Sequence, residues 1–445
     1  MITILVAILA FAIFLSIVSW LNFRPKKWLF PSDMFFVICF LTVGSVPFLN
    51  LYSQTDFSVR RGFTDETVKT ALICLIIMYA TFAFAWPFRK NIQMQDLVHV
   101  KSPKNSQNFR IVKKNSRIFL KFCMAAIFLI SGALLVYPPY LQFKTQVWAF
   151  LIGNINADDY QVARRITYAE DNFIISVVGR LRYTVFPVLF VGAILHARTG
   201  RGLLSTSALA IVAFAVGPAS FAKAVLVIFL AYFVIAITLQ SGIRKPFTTI
   251  VAVPMIVVSL LFVQIILTLV YFLQYTDSLF GLEGFIQASD IAYFRIFGAN
   301  YNGLLLYLEA FPSGGVGFGA LSFSSLWGAP QRSLDQEVAI YHLGASQGML
   351  TSFPTVFIAN AYASFGYIGV FVYSAVVAFI LYWVDLTFSA LKTNVVRTIY
   401  YAIMLINVYF FAQLSAPTTL ITYGVIVIPI ALKFVDKIIS RQGLL

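Results

Sequence analysis

Long apolar runs recur along the chain, separated by short polar connectors, and this alternation predicts its architecture. A helical membrane crossing needs about 20 apolar residues. Eleven runs approach or exceed that length, at about 2–22, 32–51, 68–87, 118–140, 173–197, 203–217, 220–240, 248–273, 367–388, 398–416 and 418–434. In a bilayer the backbone must satisfy its own hydrogen bonds, which helices do. The pattern therefore predicts an all-α, polytopic transmembrane bundle of about 11 spans. The sixth and seventh runs form one 38-residue tract interrupted at Gly217-Pro218. Proline removes a backbone donor and clashes with the preceding turn, so a tight hairpin is expected there. Residues 2–22 lack a basic leading segment and a small-residue cleavage site, and read as a retained span.

One stretch breaks the alternation. Residues 274–366 hold Asp277, Glu283, Asp290, Arg295, Glu309, Arg332, Asp335, Glu337 and His342 among aromatics and glycines. The hydropathy pattern predicts a single large, partly helical connector here. Ser289-Asp290 can cap a helix running to about Ala310. Ile291, Phe294, Tyr301, Leu304, Leu305 and Leu308 approximate its apolar face, and Arg295, Asn302 and Glu309 recur every seven residues on another. Gly314, Gly315, Gly317 and Gly319 read as loop, because their spacing does not match a dinucleotide fingerprint.

Composition agrees with a membrane domain. The chain of 445 residues is 60% hydrophobic and 11% charged, with a mean hydropathy of +0.86. A soluble domain has about a quarter charged residues. One membrane domain, 1–445, is expected. The net charge of +15 does not point to nucleic acid, because it follows the sidedness rule for membrane proteins. With the N-terminus outside, 21 of the 32 Lys and Arg fall on the cytoplasmic side, with only Asp33, Asp96, Asp385 and Asp436 among the acids. The expected topology is N-out and C-in. It makes 88–117 a basic cytoplasmic loop and 274–366 a large extracytoplasmic loop. Cys39, Cys74 and Cys123 all fall in apolar runs and read as small buried residues rather than a disulfide framework.

Several charges lie where charge is costly. Arg180 and Arg182 fall within the run 173–197, and a guanidinium at depth costs a few kcal/mol or more. Two positions apart on a helix, they cannot share a face. One is expected to reach the outer interface and the other to face the bundle as an anion ligand. Lys223 follows the Gly217-Pro218 break, where a helix N-terminus and a cation suit a phosphate; an interfacial anchor is the alternative. Asp335, Glu337 and His342 can each take a proton from a hydroxyl, or be solvated loop residues. His342 is the only outward histidine in this topology; His99 and His196 fall on the inner side. Metal-ligand spacing is missing from the sequence, and no metal or other cofactor is expected.

From about residue 203 onward the chain resembles the bacterial O-antigen and capsule repeat-unit polymerases, the Wzy-type family. The resemblance rests on three stretches. The first is Gly217-Pro218-Ala219-Ser220-Phe221-Ala222-Lys223. The second is Tyr307-Leu308-Glu309-Ala310-Phe311-Pro312, followed by the glycine-rich run and Gly328-Ala329-Pro330. The third is Ser352-Phe353-Pro354-Thr355-Val356-Phe357-Ile358-Ala359-Asn360-Ala361-Tyr362, with Phe365-Gly366 and Gly369.

The resemblance implies an inner-membrane glycosyltransferase acting on an undecaprenyl-diphosphate-linked oligosaccharide. It would transfer the growing chain from its lipid diphosphate to a sugar hydroxyl of the next unit, building O-antigen or capsular polysaccharide on the outer leaflet without a cofactor. A chain-length regulator is a possible partner. The residues fit such chemistry. Charge developing on a departing diphosphate needs cations, and Arg180, Arg182, Lys223 and Arg295 are candidates. His342, Glu337 or Asp335 would serve as base, and Tyr293, Tyr301, Trp327 and Tyr341 as platforms for sugars. The expected site is the seam between loop and bundle. Two alternatives stand beside it: an O-antigen ligase that moves glycan onto lipid A core, and a lipid-linked oligosaccharide flippase.

Overall fold

A computed structural model of the chain describes residues 1–22, 30–48, 63–87, 106–136, 181, 184–200, 232, 235–236, 264–265, 268, 282–316, 334–344, 355–413 and 424–441. Among these residues the regular structure is helical, with no strand. The helices are α1 (Ile2–Asn22), α2 (Pro31–Cys39), α3 (Asp65–Ala85), α4 (Ser106–Val136), α5 (Val185–Gly200), α6 (Leu282–Tyr293), α7 (Ala299–Ala310), α8 (Leu334–Leu343), α9 (Phe357–Ala390), α10 (Asn394–Gln413) and α11 (Val427–Arg441). Two π-turns interrupt the α-helical hydrogen bonding, at Phe40–Gly44 after α2 and at Phe294–Gly298 between α6 and α7.

Five helical stretches among the described residues are long and apolar enough to cross a membrane: Ile2–Trp20, Pro31–Phe48, Asp65–Ala85, Lys114–Ala133 and Phe357–Ala390. Val185–His196 and Asn394–Val408 are shorter apolar segments. The expected spans at 203–217, 220–240 and 248–273 lie, apart from isolated helical positions, outside the described residues. Of the last expected span, 418–434, residues 424–434 are described. α11 starts at Val427, and its 15 residues rise about 22 Å, short of a hydrocarbon core of about 30 Å. Its exposed Lys433 and Lys437, beside the buried Leu432 and Ile439, make it amphipathic.

Exposure supports a lipid environment. Along α1, Val6, Leu9, Ile13, Ser16 and Trp20 are buried, while Ile4, Ile8, Phe11, Phe14 and Leu15 are exposed. The outer face of α9 carries Ile368, Phe371, Val372, Val376 and Phe379. Contiguous apolar faces of this kind are unfavourable in water and favourable against acyl chains.

The chain divides into two compact units, 1–93 with 247–385 and 408–419, and 94–246 with 386–407 and 420–445. In the first, α1 lies along α3, where Ser19 Oγ donates to Ala83 O at 2.8 Å and Trp86 Nε1 to Ser16 Oγ at 3.2 Å. An aromatic core of Phe35, Phe36, Tyr79, Phe82, Trp86, Phe357 and Phe411 holds α2, α3, α9 and α10 together. Pro31 opens α2, as its fixed φ and absent donor allow. Buried Asp33 accepts from Phe30 N and from Trp20 Nε1, both at 2.7 Å. Buried Asp385 accepts from Ser32 Oγ at 2.5 Å. These two acids are thus structural anchors at a helix start.

In the second unit α4 packs on α5, and Gly192 leaves room for Cys123 Sγ, which a Cβ there would meet at 2.7 Å. Asp436 of α11 accepts from Lys392 N and Thr393 N at 2.9 and 2.7 Å, satisfying amides ahead of α10. All three cysteines are buried and unpaired. The basic stretch 88–117, expected as a cytoplasmic loop, is described from Ser106. From Ser106 it is already helix, the leading turns of α4, because no proline or glycine interrupts the chain before Gly132.

Candidate functional site

The first unit contains the described part of the stretch 274–366. Its leading helix starts earlier than its polar pattern predicts. α6 begins at Leu282, so Ser289 and Asp290 are interior helix residues and not a cap. Leu282 to Ala288 contains no proline and a single glycine, which does not stop a helix. The π-turn Phe294–Gly298 then takes in an extra residue. That wider turn interrupts the helical phase on which the seven-residue recurrence of Arg295, Asn302 and Glu309 rested. The π-turn packs against α7 and against the first π-turn. α7 is buried almost throughout and stops at Phe311-Pro312.

Residues 334–343, within the connector expected to be partly helical, form α8. Leu334, Val338 and Ala339 are buried. Gly344 ends the helix at φ +80°, its N–H donating to Ile340 O at 2.9 Å. Asp335 and His342, seven residues apart, share one face of α8, and that face meets α7. The Tyr307 hydroxyl donates a hydrogen bond to Asp335 Oδ1. His342 Nε2 is 2.9 Å from Leu306 O, so Nε2 carries the proton and donates. His342 Nδ1 faces Glu309 Oε2 at 3.9 Å, and the imidazole is only 4% exposed.

The electrostatics follow from this packing. Burial raises the Asp335 carboxyl above its ordinary range, and the Tyr307 hydroxyl offsets part of that rise. Burial first, and then the negative charge of Asp335, hold the Tyr307 hydroxyl protonated well above its usual value. The pair therefore keeps one direction: tyrosine donates and carboxylate accepts. A carboxyl with raised proton affinity can collect a proton from a hydroxyl and return it.

The segment after α7 is pinned to α9. Tyr362 Oη donates to Pro312 O at 2.9 Å, and Val316 N to Ala363 O at 3.0 Å. α9 itself breaks at Phe365–Gly366, where Gly366 has φ +61° and ψ −148°. Residues 357–366, expected as the end of the connector before a span at 367, are thus mostly a buried helical segment leading into that break.

Of the candidate residues, Asp335, His342 and Tyr341 come together with Tyr307 and Glu309. Glu337 is half-buried on the same helix. Tyr341 is 61% exposed and stands edge-on to the His342 ring, centroids 4.8 Å apart, leaving a ring face open. Tyr293 is half-buried against Phe297, centroids 4.8 Å apart. Tyr301 is only 2% exposed, so its ring is a packing surface and has no face for a sugar. Arg295 falls in the π-turn. Arg180, Arg182, Lys223 and Trp327 lie outside the described residues.

Two partners escaped the pattern. Tyr307 enters the sequence reading only in the stretch 307–312, and Glu309 as part of the seven-residue polar recurrence. The available signal was the i, i+3/i+4, i+7 spacing of Asp335, Val338, Ala339 and His342, which places two polar groups on one face. Asn300 is also buried, and neither of its amide atoms has a hydrogen-bond partner. Among the described residues no group of three or more His, Cys, Asp and Glu is placed to hold a metal ion. Comparison with protein-family models, curated proteins and solved structures finds no match to this chain.

Proposed function

We propose that this membrane protein is a glycosyltransferase that polymerises undecaprenyl-diphosphate-linked oligosaccharide units on the outer leaflet of the bacterial inner membrane. The reading is supported by one observation above others. The α7–α8 pair holds a carboxyl of raised proton affinity, Asp335, under a tyrosine donor, beside a histidine paired with a carboxylate. α7 ends within 307–312, one of the stretches that resemble the polymerases, and α8 follows it in the chain. In the proposed reaction Asp335 takes the proton of an acceptor sugar hydroxyl. The oxygen attacks the anomeric carbon of the lipid-linked chain, and the bond from that carbon to the diphosphate oxygen breaks. The diphosphate leaves with the electron pair, its charge met by cations, among which Arg180, Arg182, Lys223 and Arg295 are proposed. Tyr307 acts as a positioning residue through Asp335. Tyr341 offers an open ring face for a sugar.

The test is direct. Purified protein is incubated with lipid-linked repeat units and the products are separated on a gel. A ladder of chain lengths supports the proposal. Transfer only onto lipid A core identifies a ligase, and the absence of any glycan product sinks both enzymatic readings and leaves the flippase.

A further inference from the structure

The second unit carries a surface that the proposed reaction does not use. α4 and α11 meet where Asn115 Nδ2 donates to Ile439 O at 3.4 Å. Around that contact Lys114, Arg117 and Lys121 are exposed on α4, and Lys433 and Lys437 on α11. Among the described residues none of the five is in an ion pair. The two helices contain a single acid, Asp436. It is buried and committed to the amides of Lys392 and Thr393, so it does not neutralise the surface cations.

Apolar side chains are interleaved with these charges. Ile118 and Phe122 on α4 are 55% and 62% exposed, and Phe434 and Ile438 on α11 are 65% and 43% exposed. Further along α4 the exposed positions turn wholly apolar, with Phe128 and Leu129. The basic-to-apolar change along one helix is the profile of a bilayer interface. The exposed stripe of α11, Val427, Ile430, Phe434 and Ile438, recurs every three to four residues beside its lysines, as in helices that lie in the interfacial plane.

We infer that the α4–α11 face is a binding site for anionic phospholipid. The cations take the headgroup phosphates, and Phe122, Ile118, Phe434 and Ile438 take the start of the acyl chains. A soluble anion would use the cations alone and leave the apolar residues in water, which is why a lipid is the better fit. Each basic residue near an anionic surface contributes about 1 kcal/mol, or about fivefold in affinity.

The full-length protein is placed in nanodiscs of phosphatidylcholine and phosphatidylglycerol in equal parts. Its annular lipid is then read by quenching or native mass spectrometry. Phosphatidylglycerol is expected to be enriched at the protein. The double variant Arg117→Gln/Lys437→Gln should lower that preference about 25-fold, and Lys121→Gln/Lys433→Gln similarly. Both pairs are exposed, and melting in phosphatidylcholine alone checks that they fold. Lys69→Gln, on α3 and paired with Glu66 at 3.3 Å, should leave the preference unchanged. Equal occupancy by the two lipids overturns the inference. So does a preference that survives both double variants, or equally tight binding of soluble glycerol phosphate.

Discussion

Tyr307 and Asp335, 28 residues apart in sequence, share one hydrogen bond that joins α7 to α8. Because burial raises the Asp335 carboxyl, the folded protein binds that proton more tightly than the unfolded chain does. The sign follows from linkage. The stability contribution is complete below the ordinary carboxylate value of about 4 and is lost as pH rises through the raised folded value. Asp335→Asn keeps a neutral side chain at every pH. Its melting temperature in detergent should therefore fall less steeply than wild type as pH rises above about 4. An identical slope would show that Asp335 is not the titrating group. Tyr307→Phe removes the donor to the carboxylate and should cost about 1.5–3 kcal/mol near neutral pH.

The same aspartate separates activity from stability. If Asp335 collects the acceptor proton, Asp335→Asn should reduce ladder formation about 10²–10⁴-fold while the protein still folds. Tyr307→Phe should shift the pH profile of polymerisation more than its maximum. An Asn variant that polymerises normally rules this residue out as base and returns the role to Glu337 or His342.

His342 bridges two elements with two different nitrogens. His342→Ala should destabilise the α7–α8 pair by about 1–2 kcal/mol, through the lost bond to Leu306 O and the lost contact with Glu309. His342→Gln retains an amide donor and should recover part of that loss. A double-mutant cycle with Glu309→Gln measures the imidazole–carboxylate coupling. A coupling of zero would mean that the 3.9 Å approach carries no energy.

Two neighbouring glycines should behave differently. Gly314 has φ +63°, and a Cβ there would meet Tyr362 O at 2.6 Å and Gly366 N at 2.9 Å. Gly315 has φ +90° with nothing within 4 Å of a Cβ. Gly315→Ala should cost about 1–2 kcal/mol from backbone conformation alone. Gly314→Ala adds a collision with backbone atoms at the α9 break and should cost more, at least about 2 kcal/mol beyond it. Thermal melts of the two variants compare them. Equal losses would mean that the 311–316 segment is not pinned to α9.

The diphosphate cations are tested separately. Arg180→Ala or Arg182→Ala should abolish the polymer ladder with expression intact, since one of the two is proposed to take charge from the leaving group. Normal ladders from both variants would discard that role for the pair.

Apolar run length by itself determined where the long helices α1, α3 and α9 form, because a helix of about 20 apolar residues is a local solution to burying backbone polar groups in lipid. The polar stretch was equally legible as an exception. Its internal structure was not. The seven-residue recurrence of Arg295, Asn302 and Glu309 assumed an unbroken 3.6-residue phase, and the π-turn at Phe294–Gly298 removes that phase. Residues 334–343 carry four polar side chains in ten and so resemble loop. They become a helix because Leu334, Val338 and Ala339 find a buried surface. Asp335 became a buried carboxyl only because Tyr307 and α7 cover it, and on α11 Asp436 is buried while Lys433 and Lys437 stay exposed. Hydropathy is a property of each residue. The environment that shifts a proton or sorts charge from lipid is made by residues far apart in the chain, and only the tertiary structure brings them together.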